Sequence, residues 1–359
     1  MTKKRAASFF WRDVVSGRRR GLSAALMRTA LRLAEAPYTL AMSWRNRRYD
    51  LGIVPTTRLS VPVVSVGNIT LGGTGKTPLV QWIARWYRRH QVRVAIVSRG
   101  YRAEQGALND EARELEQKLL DVPHLQNPHR LAGAQIAIEE LHSQLIVLDD
   151  GFQHRRLARD LDIVLLDALE PFGFDHVFPR GTLREPLAGL RRAEVIILSR
   201  ADMLESSQCE AIRRRVEDLA PQAAWAQAQH APKDLISAAG GRAPLDLLHG
   251  QPVAAFCGLG NPAGFRHTIV SCAYRLVDFC EFPDHHSYTR ANIEDLTAWA
   301  EHLNVSAVLC THKDLVKIGL DQLGQIPLWA IGVEIDFLAG QDALESRLLA
   351  LLARVEKDK

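Results

Sequence analysis

The stretch GNITLGGTGKTP (Gly67–Pro78) follows the apolar run VPVVSV and leads into the amphipathic segment TPLVQWIARWYRRH. A strand, a glycine-rich turn and a helix in this order form the context in which backbone N–H groups at a helix N-terminus bind phosphate. The strict phosphate-loop pattern has a glycine five residues before Gly75, where this chain has Thr70. We expect Gly72, Gly73 and Gly75 to shape the turn instead, because glycine tolerates the dihedral angles that the turn requires. A glycine-rich turn that binds no ligand is the alternative.

The polar residues of this loop match the chemistry of a bound nucleoside triphosphate. A lysine at the position of Lys76 reaches the β- and γ-phosphates, and a hydroxyl at the position of Thr77 binds Mg²⁺. The predicted nucleotide contacts are Gly72, Gly73, Thr74, Gly75, Lys76 and Thr77. A nucleoside triphosphate and Mg²⁺ are therefore the predicted ligands.

A metal-dependent phosphotransferase also needs an acid at the end of a neighbouring strand. The run LIVLDDGFQH supplies one, because an apolar strand ends there in Asp149 and Asp150. Two adjacent carboxylates are costly unless a cation or hydrogen-bond donors compensate their charge. We therefore predict metal coordination at Asp150, and a turn in which an aspartate caps a helix is the alternative.

From residue 59 onward, short β-branched runs alternate with helical patterns, which indicates βαβ units and a mainly parallel sheet flanked by helices. The strands predicted for the core are Val61–Val66, Val92–Ser98, Gln144–Asp150, Asp162–Ala168 and Glu194–Arg200. The fold class is α/β, similar to P-loop NTPases. A shift to Gly, Pro and Ala at Ala238–Gln251 indicates a boundary between a P-loop core, residues 51–245, and a smaller α/β lobe, residues 246–359, that we expect to close over the cleft.

Residues 1–50 carry twelve lysines and arginines against three acids, so this segment is +9 while the rest of the chain is −5. Between two arginine clusters lies LSAALMRTALRLAEAPYTLAMSW, in which Arg28, Arg32 and Glu35 share one helical stripe. Three charges make a membrane-spanning helix costly. We predict an amphipathic helix at a membrane surface, with arginines reaching anionic head groups and Trp44 at the boundary. A helix packed on the domain and a basic arm for nucleic acid are the alternatives.

Other features narrow the class of protein. The five cysteines form no C-x-x-C pair, which argues against a disulfide framework or a zinc site and suits a reducing compartment: Cys209, Cys257, Cys272, Cys280 and Cys310. We expect no nucleic-acid partner, because the chain has no aromatic–basic interleaving and no known nucleic-acid module. No obligate protein partner is evident either.

Six motifs, taken together and in order, resemble the tetraacyldisaccharide 4′-kinase family. They are GNITLGGTGKTP, SRGY (Ser98–Tyr101), DDGFQH (Asp149–His154), FPRGTLREP (Phe178–Pro186), PDHHSYT (Pro283–Thr289) and THKDLVK (Thr311–Lys317). That family phosphorylates the 4′-hydroxyl of an acylated glucosamine disaccharide with ATP during lipid A synthesis. The resemblance implies the same displaced glycine, an acylated disaccharide substrate, and a place on the cytoplasmic face of the bacterial inner membrane.

The resemblance also implies roles for individual residues. Mg²⁺ would be held by Thr77, Asp150 and Glu185, with Arg184 beside the phosphates. Arg184 and Glu185 forming a surface pair is the alternative.

The resemblance further implies a catalytic set of Lys76, Asp110 and His285. The family's GDEP motif has its counterpart in NDEA, which makes Asp110 the candidate base. Asp110 in the first turn of a helix capped by Asn109 is the alternative. His285 would assist the base and tune its pKa, and two adjacent histidines in an exposed turn are the alternative to that role.

Two other functions are compatible with a phosphate loop. SRAD (Ser199–Asp202) lies roughly where guanine-specific GTPases and metallochaperones carry N-K-x-D, but Ser and Arg replace the discriminating residues. A membrane-bound partitioning or scaffold ATPase usually has a lysine just before the glycine pair, where this chain has Leu71. Both are therefore weaker interpretations than the kinase.

Overall fold

A computed structural model describes residues 10–100, 115–116, 118–284 and 286–357. The helices are α1 (Leu22–Asp50), α2 (Lys76–Arg89), α3 (Arg130–Glu139), α4 (Ser206–Leu219), α5 (Pro262–Ser271), α6 (Arg290–Leu303), α7 (His312–Ile318) and α8 (Gln341–Lys357). The strands are β1 (Val63–Asn68), β2 (Val94–Ser98), β3 (His124–Gln126), β4 (Leu145–Asp149), β5 (Leu161–Asp167), β6 (Val195–Ser199), β7 (Ala224–Ile236), β8 (Arg242–Ala243), β9 (Pro252–Cys257), β10 (Arg275–Glu281), β11 (Ala307–Thr311), β12 (Gln322–Leu323) and β13 (Ile326–Ala339).

The five strands predicted for the core are confirmed, each to within two residues at either end. They are buried along their whole length, as expected for parallel strands covered by helices on both faces. Helix α2 has Pro78 in its first turn and two arginines in its last, which suits the helix dipole. Its residues Leu79, Ile83 and Tyr87 are fully buried at four-residue spacing and face the sheet.

The sheet contains one antiparallel joint in its middle. Its strand order is β10-β9-β11-β13-β7-β6-β5-β1-β4-β2-β3, with β12 beside β13 and β8 beside β7. Along this order neighbouring strands are parallel except for β7 and β13. The strands from β7 to β3 form the first half, and those from β13 to β10 form the second half. The strands of the two halves therefore run in opposite directions.

This joint makes the carboxyl ends of both halves face one gap. β7 pairs with β6 only as far as Ala228, and β13 pairs with β11 only as far as Ile331, which lies opposite Leu235 of β7. The middle residues of the two long strands, including His230 and Val333, form the floor between these points. Because open α/β sheets bind ligands beyond the carboxyl ends of their strands, the gap is where a site is expected.

β7 is a strand that the sequence pattern did not predict. Its sequence, AWAQAQHAPKDLI, is rich in Ala and Gln and contains Pro232, so its intrinsic strand propensity is low. A register shift occurs at the proline, between the pairs that Gly332 and Val333 form with β7. Pairing with β6 on one side and β13 on the other forms this strand in spite of its sequence.

The C-terminal helix departs from the predicted division of the chain. Residues 246–359 were expected to form one lobe, but α8 packs its buried face against the core of the first half. Leu344 and Leu348 belong to the same apolar cluster as Leu79, and the Tyr87 hydroxyl donates to the Leu348 carbonyl at 3.1 Å. The chain therefore returns to the first half after β13, because that long strand crosses between the halves.

Helix α1 lies on the first half with one face outward. Its inner face contacts the FPRGTLREP segment and the residue before it: the Tyr38 hydroxyl donates to the Arg184 carbonyl at 3.2 Å, and Glu35 accepts a hydrogen bond from the Val177 N–H at 2.7 Å. The predicted helix is confirmed over residues 22–44 and continues to Asp50. In the part of the chain that the structure describes, no helix has the length and apolar character needed to span a bilayer.

Candidate active site

The phosphate loop takes its shape from glycines at two positions. Gly72 and Gly75 have positive φ angles, of 116° and 81°, which L residues rarely adopt. Thr70, where the strict pattern has glycine, is instead paired in an antiparallel bridge with Leu183. The turn is thus made two residues later than in the strict pattern, and α2 starts directly after the loop, at Lys76. The Thr70 substitution is compatible with a working loop because that position is extended.

The loop is supported from below by β7. A Cβ atom on Gly75 would lie 2.3 Å from both Cε1 and Nε2 of His230, so the imidazole packs directly against the glycine backbone. His230 Nε2 is 3.2 Å from the Ser199 hydroxyl at the end of β6. Burial, with a smaller effect of Arg200, lowers the pKa of His230 to about 3, so the ring is neutral. Sequence analysis missed this residue, since a histidine in a polar segment carries no signal of its own.

The predicted charged residues meet beside the loop. Lys76 Nζ lies 3.3 Å from Asp150 Oδ1 and 3.3 Å from the Asn68 side-chain oxygen. Arg184 Nη1 donates to both Asp150 carboxylate oxygens at 2.8 Å. Burial acts to raise the pKa of Asp150, but the two cations outweigh it and hold the pKa well below its ordinary value. Asp150 also has a φ of 53°, an unusual conformation for a residue other than glycine.

A cavity of about 680 Å³ opens between the two halves of the sheet. The loop residues Leu71–Pro78 line one side, together with Asp149, Asp150 and Arg184. The opposite side comes from the second half, including Leu259–Asn261, Asp284 and Thr311–Lys313. The residues that line the cavity with a positive charge are Lys76, Arg99, Lys118, Arg130, Arg184, Arg200 and Lys313. Such a concentration of cations suits a polyanionic ligand.

A profile of the family described as Tetraacyldisaccharide-1-P 4′-kinase matches residues 27–353. The chain belongs to this family. A tetraacyldisaccharide 4′-kinase of Anaeromyxobacter sp. (strain K) is 39% identical, and the match covers 96% of this chain and 95% of the relative. One of Chlorobaculum parvum is 34% identical, with 90% of this chain and 94% of the relative covered. LpxK from Aquifex aeolicus, solved in complex with ATP, is 27% identical with a TM-score of 0.68 over 90% of this chain and 99% of that chain.

Membership of the family confirms that the chain is a kinase of the P-loop type, an enzyme of lipid A synthesis that uses ATP with Mg²⁺. The predicted fold class is likewise confirmed.

Glu185, predicted as a ligand of Mg²⁺, lies outside the cavity of the kinase. Its side chain is fully buried and accepts hydrogen bonds from Arg192 at 2.9 Å, Gln153 at 3.0 Å and Asn46 at 2.7 Å. Burial acts to raise the pKa of Glu185, but Arg192 and the two amides hold it below the ordinary value. The carboxylate therefore stabilises the contact between α1 and the LREP segment, and the structure does not bring it to the phosphate loop.

Asp110 and His285, the predicted base and its partner, lie outside the described residues of the kinase. The neighbouring residues of PDHHSYT indicate which of its two histidines is the candidate to assist the base. His286 stacks on Phe282 at 4.8 Å between ring centroids, and its Nε2 lies 3.0 Å from the Asn292 side-chain oxygen. Asp284 lines the cavity. His286 is thus engaged within the second half, so His285 stays the predicted catalytic histidine of this segment.

A network of buried polar groups ties the phosphate loop to the second half of the kinase. Arg200 donates to the Gly73 carbonyl at 3.3 Å and to Asp167 at 2.7 Å. Asp167 also accepts a 2.8 Å hydrogen bond from Asn261, which caps α5. Arg200 belongs to SRAD and stands where the N-K-x-D motif of GTPases has its lysine. In this kinase the residue at that position supports the phosphate loop.

The aspartate of SRAD is engaged as well. Asp202 lies 2.7 Å from Nε2 of His267 on α5. An aspartate that recognises guanine needs its carboxylate directed at the base. The carboxylate of Asp202 instead joins the two halves of the kinase through His267. This geometry disfavours the GTPase interpretation.

Proposed function

We propose that the chain transfers the γ-phosphate of ATP to the 4′-hydroxyl of a tetraacyl glucosamine disaccharide 1-phosphate at a membrane surface. The observation that carries this proposal is the cavity in which the phosphate loop, Lys76 and Asp150 face the second half, directly beside α1. The other arguments concern the donor, the acceptor and the membrane in turn.

On the donor side, the backbone of residues 72–77 at the N-terminus of α2 binds the phosphates. Lys76 and Arg184 share Asp150 as a counter-ion in this structure. A bound triphosphate supplies the charge that lets Lys76 turn from Asp150 to the β- and γ-phosphates. Arg184 donates two hydrogen bonds to Asp150. These bonds hold the Asp150 carboxylate in a fixed orientation at the active site.

The donor set also fits Mg²⁺. Mg²⁺ usually binds one or two protein oxygens and completes its shell with waters and substrate phosphates. The described residues contain no group of three or more His, Cys, Asp or Glu side chains placed around one metal ion, but the Thr77 hydroxyl and the Asp150 carboxylate both line the cavity. These two would hold the ion, which when bound neutralises charge on the β- and γ-phosphates.

On the acceptor side, Asp110 takes the proton of the sugar hydroxyl and His285 assists it. Phosphoryl transfer asks mainly for positioning and charge neutralisation, so a general base contributes roughly 10²–10⁴-fold. Asp284 lines the cavity and is next in sequence to His285, whose imidazole it would orient.

The outer face of α1 supports the membrane part of the proposal. Five large apolar side chains there are 63–79% exposed: Leu22, Leu26, Leu33, Leu40 and Trp44. At about 100° per residue they fall within an arc of about 40° on the helix, which makes them one apolar stripe. Exposed arginines lie near both ends, at Arg18–Arg20 and Arg47. This is the pattern of a helix that lies in a membrane interface rich in anionic lipid.

The position of α1 links that interface to the chemistry. The inner face of the helix contacts Arg184 and Glu185, so the apolar stripe is about one helix diameter, 10–12 Å, from the LREP segment. An acylated disaccharide would keep its acyl chains in the bilayer and present its sugar to the cavity. Because ATP is cytoplasmic, the cytoplasmic face of the inner membrane is the proposed location.

The catalytic roles are tested with purified protein, labelled ATP, Mg²⁺ and the tetraacyl disaccharide 1-phosphate in detergent. We expect Lys76→Ala, Asp110→Ala and His285→Ala each to lower kcat by about 100-fold or more. Lys233→Ala is the control, since the Lys233 side chain is 63% exposed and the residue does not line the cavity. Unchanged turnover in Asp110→Ala removes that residue from the mechanism. If the wild-type protein produces no phosphorylated disaccharide, the proposed function is refuted.

The membrane role is tested by co-sedimentation with vesicles of phosphatidylglycerol and phosphatidylcholine. Leu33→Glu is expected to weaken binding by about tenfold or more, because burying a leucine is worth about 1.5–3 kcal/mol. Leu349→Glu is the matched control, an exposed leucine on α8 away from the stripe. Equal vesicle binding by the two variants would show that the stripe of α1 does not meet the membrane.

A further inference from the structure

A buried carboxylate joins three chain segments on the second-half side of the cavity. The Asp314 side chain is fully buried and accepts hydrogen bonds from the Tyr288 hydroxyl at 2.9 Å and the Thr311 hydroxyl at 2.6 Å. The Gly258 N–H, 3.1 and 3.2 Å from its two oxygens, is a third donor. Asp314 belongs to THKDLVK, a motif for which neither the phosphate loop nor the predicted base provides a role.

Each of these donors is next to residues that line the cavity. Gly258 directly precedes Leu259–Asn261, and Thr311 lines the cavity itself together with His312 and Lys313. Tyr288, within the PDHHSYT segment, follows four residues after Asp284, another lining residue. The ends of β9 and β11 and the PDHHSYT segment thus share one acceptor, although they are far apart in the sequence.

The carboxylate suits this task better than a neutral group. A carboxylate has room for about four hydrogen bonds, so donors from three segments converge on it without competition. Burial raises the pKa of Asp314, and the hydrogen bonds from Thr311, Gly258 and Tyr288 oppose this effect by favouring the charged form. Hydrogen bonds to a charged acceptor are shorter and stronger than neutral ones. Asp314 also lies in the first turn of α7, where a negative charge is favourable.

We propose that Asp314 is a positioning residue, which fixes the PDHHSYT segment against the ends of β9 and β11 and so holds the acceptor side of the active site in place. The proposal rests on the proposed function, because PDHHSYT contains His285. It predicts that loosening this junction lowers the rate of transfer while ATP binding at the phosphate loop is retained.

Tyr288 offers the cleanest perturbation. Its ring packs against Phe256, Phe282 and His286 at centroid distances of 5.7, 5.2 and 4.9 Å. Tyr288→Phe keeps this packing and removes only the hydroxyl that donates to Asp314. Tyr274→Phe is the matched control, because the Tyr274 hydroxyl donates a 2.7 Å hydrogen bond to the Leu245 carbonyl in the same half and Tyr274 does not line the cavity.

The experiment compares kcat, KM for ATP, nucleotide affinity and thermal unfolding for both variants. We expect Tyr288→Phe to lower kcat about fivefold or more, with KM for ATP and nucleotide affinity within about twofold of wild type. Tyr274→Phe is expected to lose a similar amount of stability and to keep wild-type kcat. Unchanged kcat in Tyr288→Phe, or an equal loss in both variants, overturns the proposal.

A double-mutant cycle identifies the acceptor. If Tyr288 acts through Asp314, Tyr288→Phe adds no further loss of kcat in an Asp314→Ala background, which removes both acceptor oxygens, and full additivity overturns the proposal. His285→Ala, assayed in parallel, separates this inference from the proposed catalytic role. Wild-type turnover in His285→Ala with reduced turnover in Tyr288→Phe would remove His285 from the mechanism and still support the positioning role of Asp314.

Discussion

The contact between Gly75 and His230 gives the most quantitative prediction, for Gly75→Ala. An added Cβ would lie 2.3 Å from two atoms of the imidazole and 3.2 Å from the Ser199 hydroxyl, so the ring or the loop must move. The φ of 81° adds strain of about 1–2 kcal/mol for any L side chain. Overpacking costs about 1–3 kcal/mol more. The expected loss of unfolding free energy is therefore about 2–5 kcal/mol.

Two other glycines of the loop separate strain from collision. Gly72 has a φ of 116° but no described atom within 4 Å of an added Cβ, so Gly72→Ala carries the backbone strain alone. Gly73 has neither feature, and Gly73→Ala is expected to change the free energy of unfolding by about 0.5 kcal/mol or less. The predicted order of destabilisation is Gly75→Ala, then Gly72→Ala, then Gly73→Ala.

The measurement is equilibrium urea unfolding without nucleotide, followed by ATP affinity of each variant. His230→Ala in the Gly75→Ala background removes the collision and keeps the strain, so we expect it to recover about 1–3 kcal/mol relative to additive behaviour. If Gly75→Ala is as stable as Gly73→Ala, or if the double variant shows simple additivity, the imidazole does not support the loop and the reasoning is wrong.

Three ionisable side chains, His230, Glu185 and Asp202, give further predictions. Between pH 6.5 and 3 the unfolded chain protonates His230 while the native state does not, so stability should fall by about 1.4 kcal/mol per pH unit on acidification, a slope that His230→Gln should reduce. Glu185→Ala should lower the free energy of unfolding by about 3–5 kcal/mol, because it leaves Arg192 unpaired. Glu185→Gln should keep the Mg²⁺ concentration required for activity within twofold of wild type. A tenfold increase in that concentration would instead support a ligand role for Glu185. Asp202→Asn should leave the preference for ATP over GTP unchanged, and a shift toward GTP would contradict the pairing with His267.

Much of the donor side could be predicted from the sequence, because phosphate binding is local. Consecutive residues at one helix N-terminus provide the backbone donors and also the side chains of Lys76 and Thr77. The spacing within GNITLGGTGKTP is therefore enough to find all of these groups. Asp150 was found in the same way, since it directly follows a continuous apolar strand. The order of six motifs was specific enough to indicate the family, which the comparisons then confirmed.

The partners of those residues could not be predicted, because they are brought together by strand pairing between distant segments. His230 meets Gly75 only because β7, a weak strand by its own sequence, is held between β6 and β13. Glu185 follows Arg184 directly in sequence, yet one points into the cavity and the other into a buried contact with α1.

The sequence by itself determined the phosphate-binding turn, the parallel strands around it and the basic, apolar character of the N-terminus. These are short-range patterns of residue type. Only the tertiary structure decided that two sets of strands run in opposite directions, that their carboxyl ends share a cavity, and that α8 returns to the first core. Those outcomes depend on burial and on long-range hydrogen bonding, which no local pattern of residues contains.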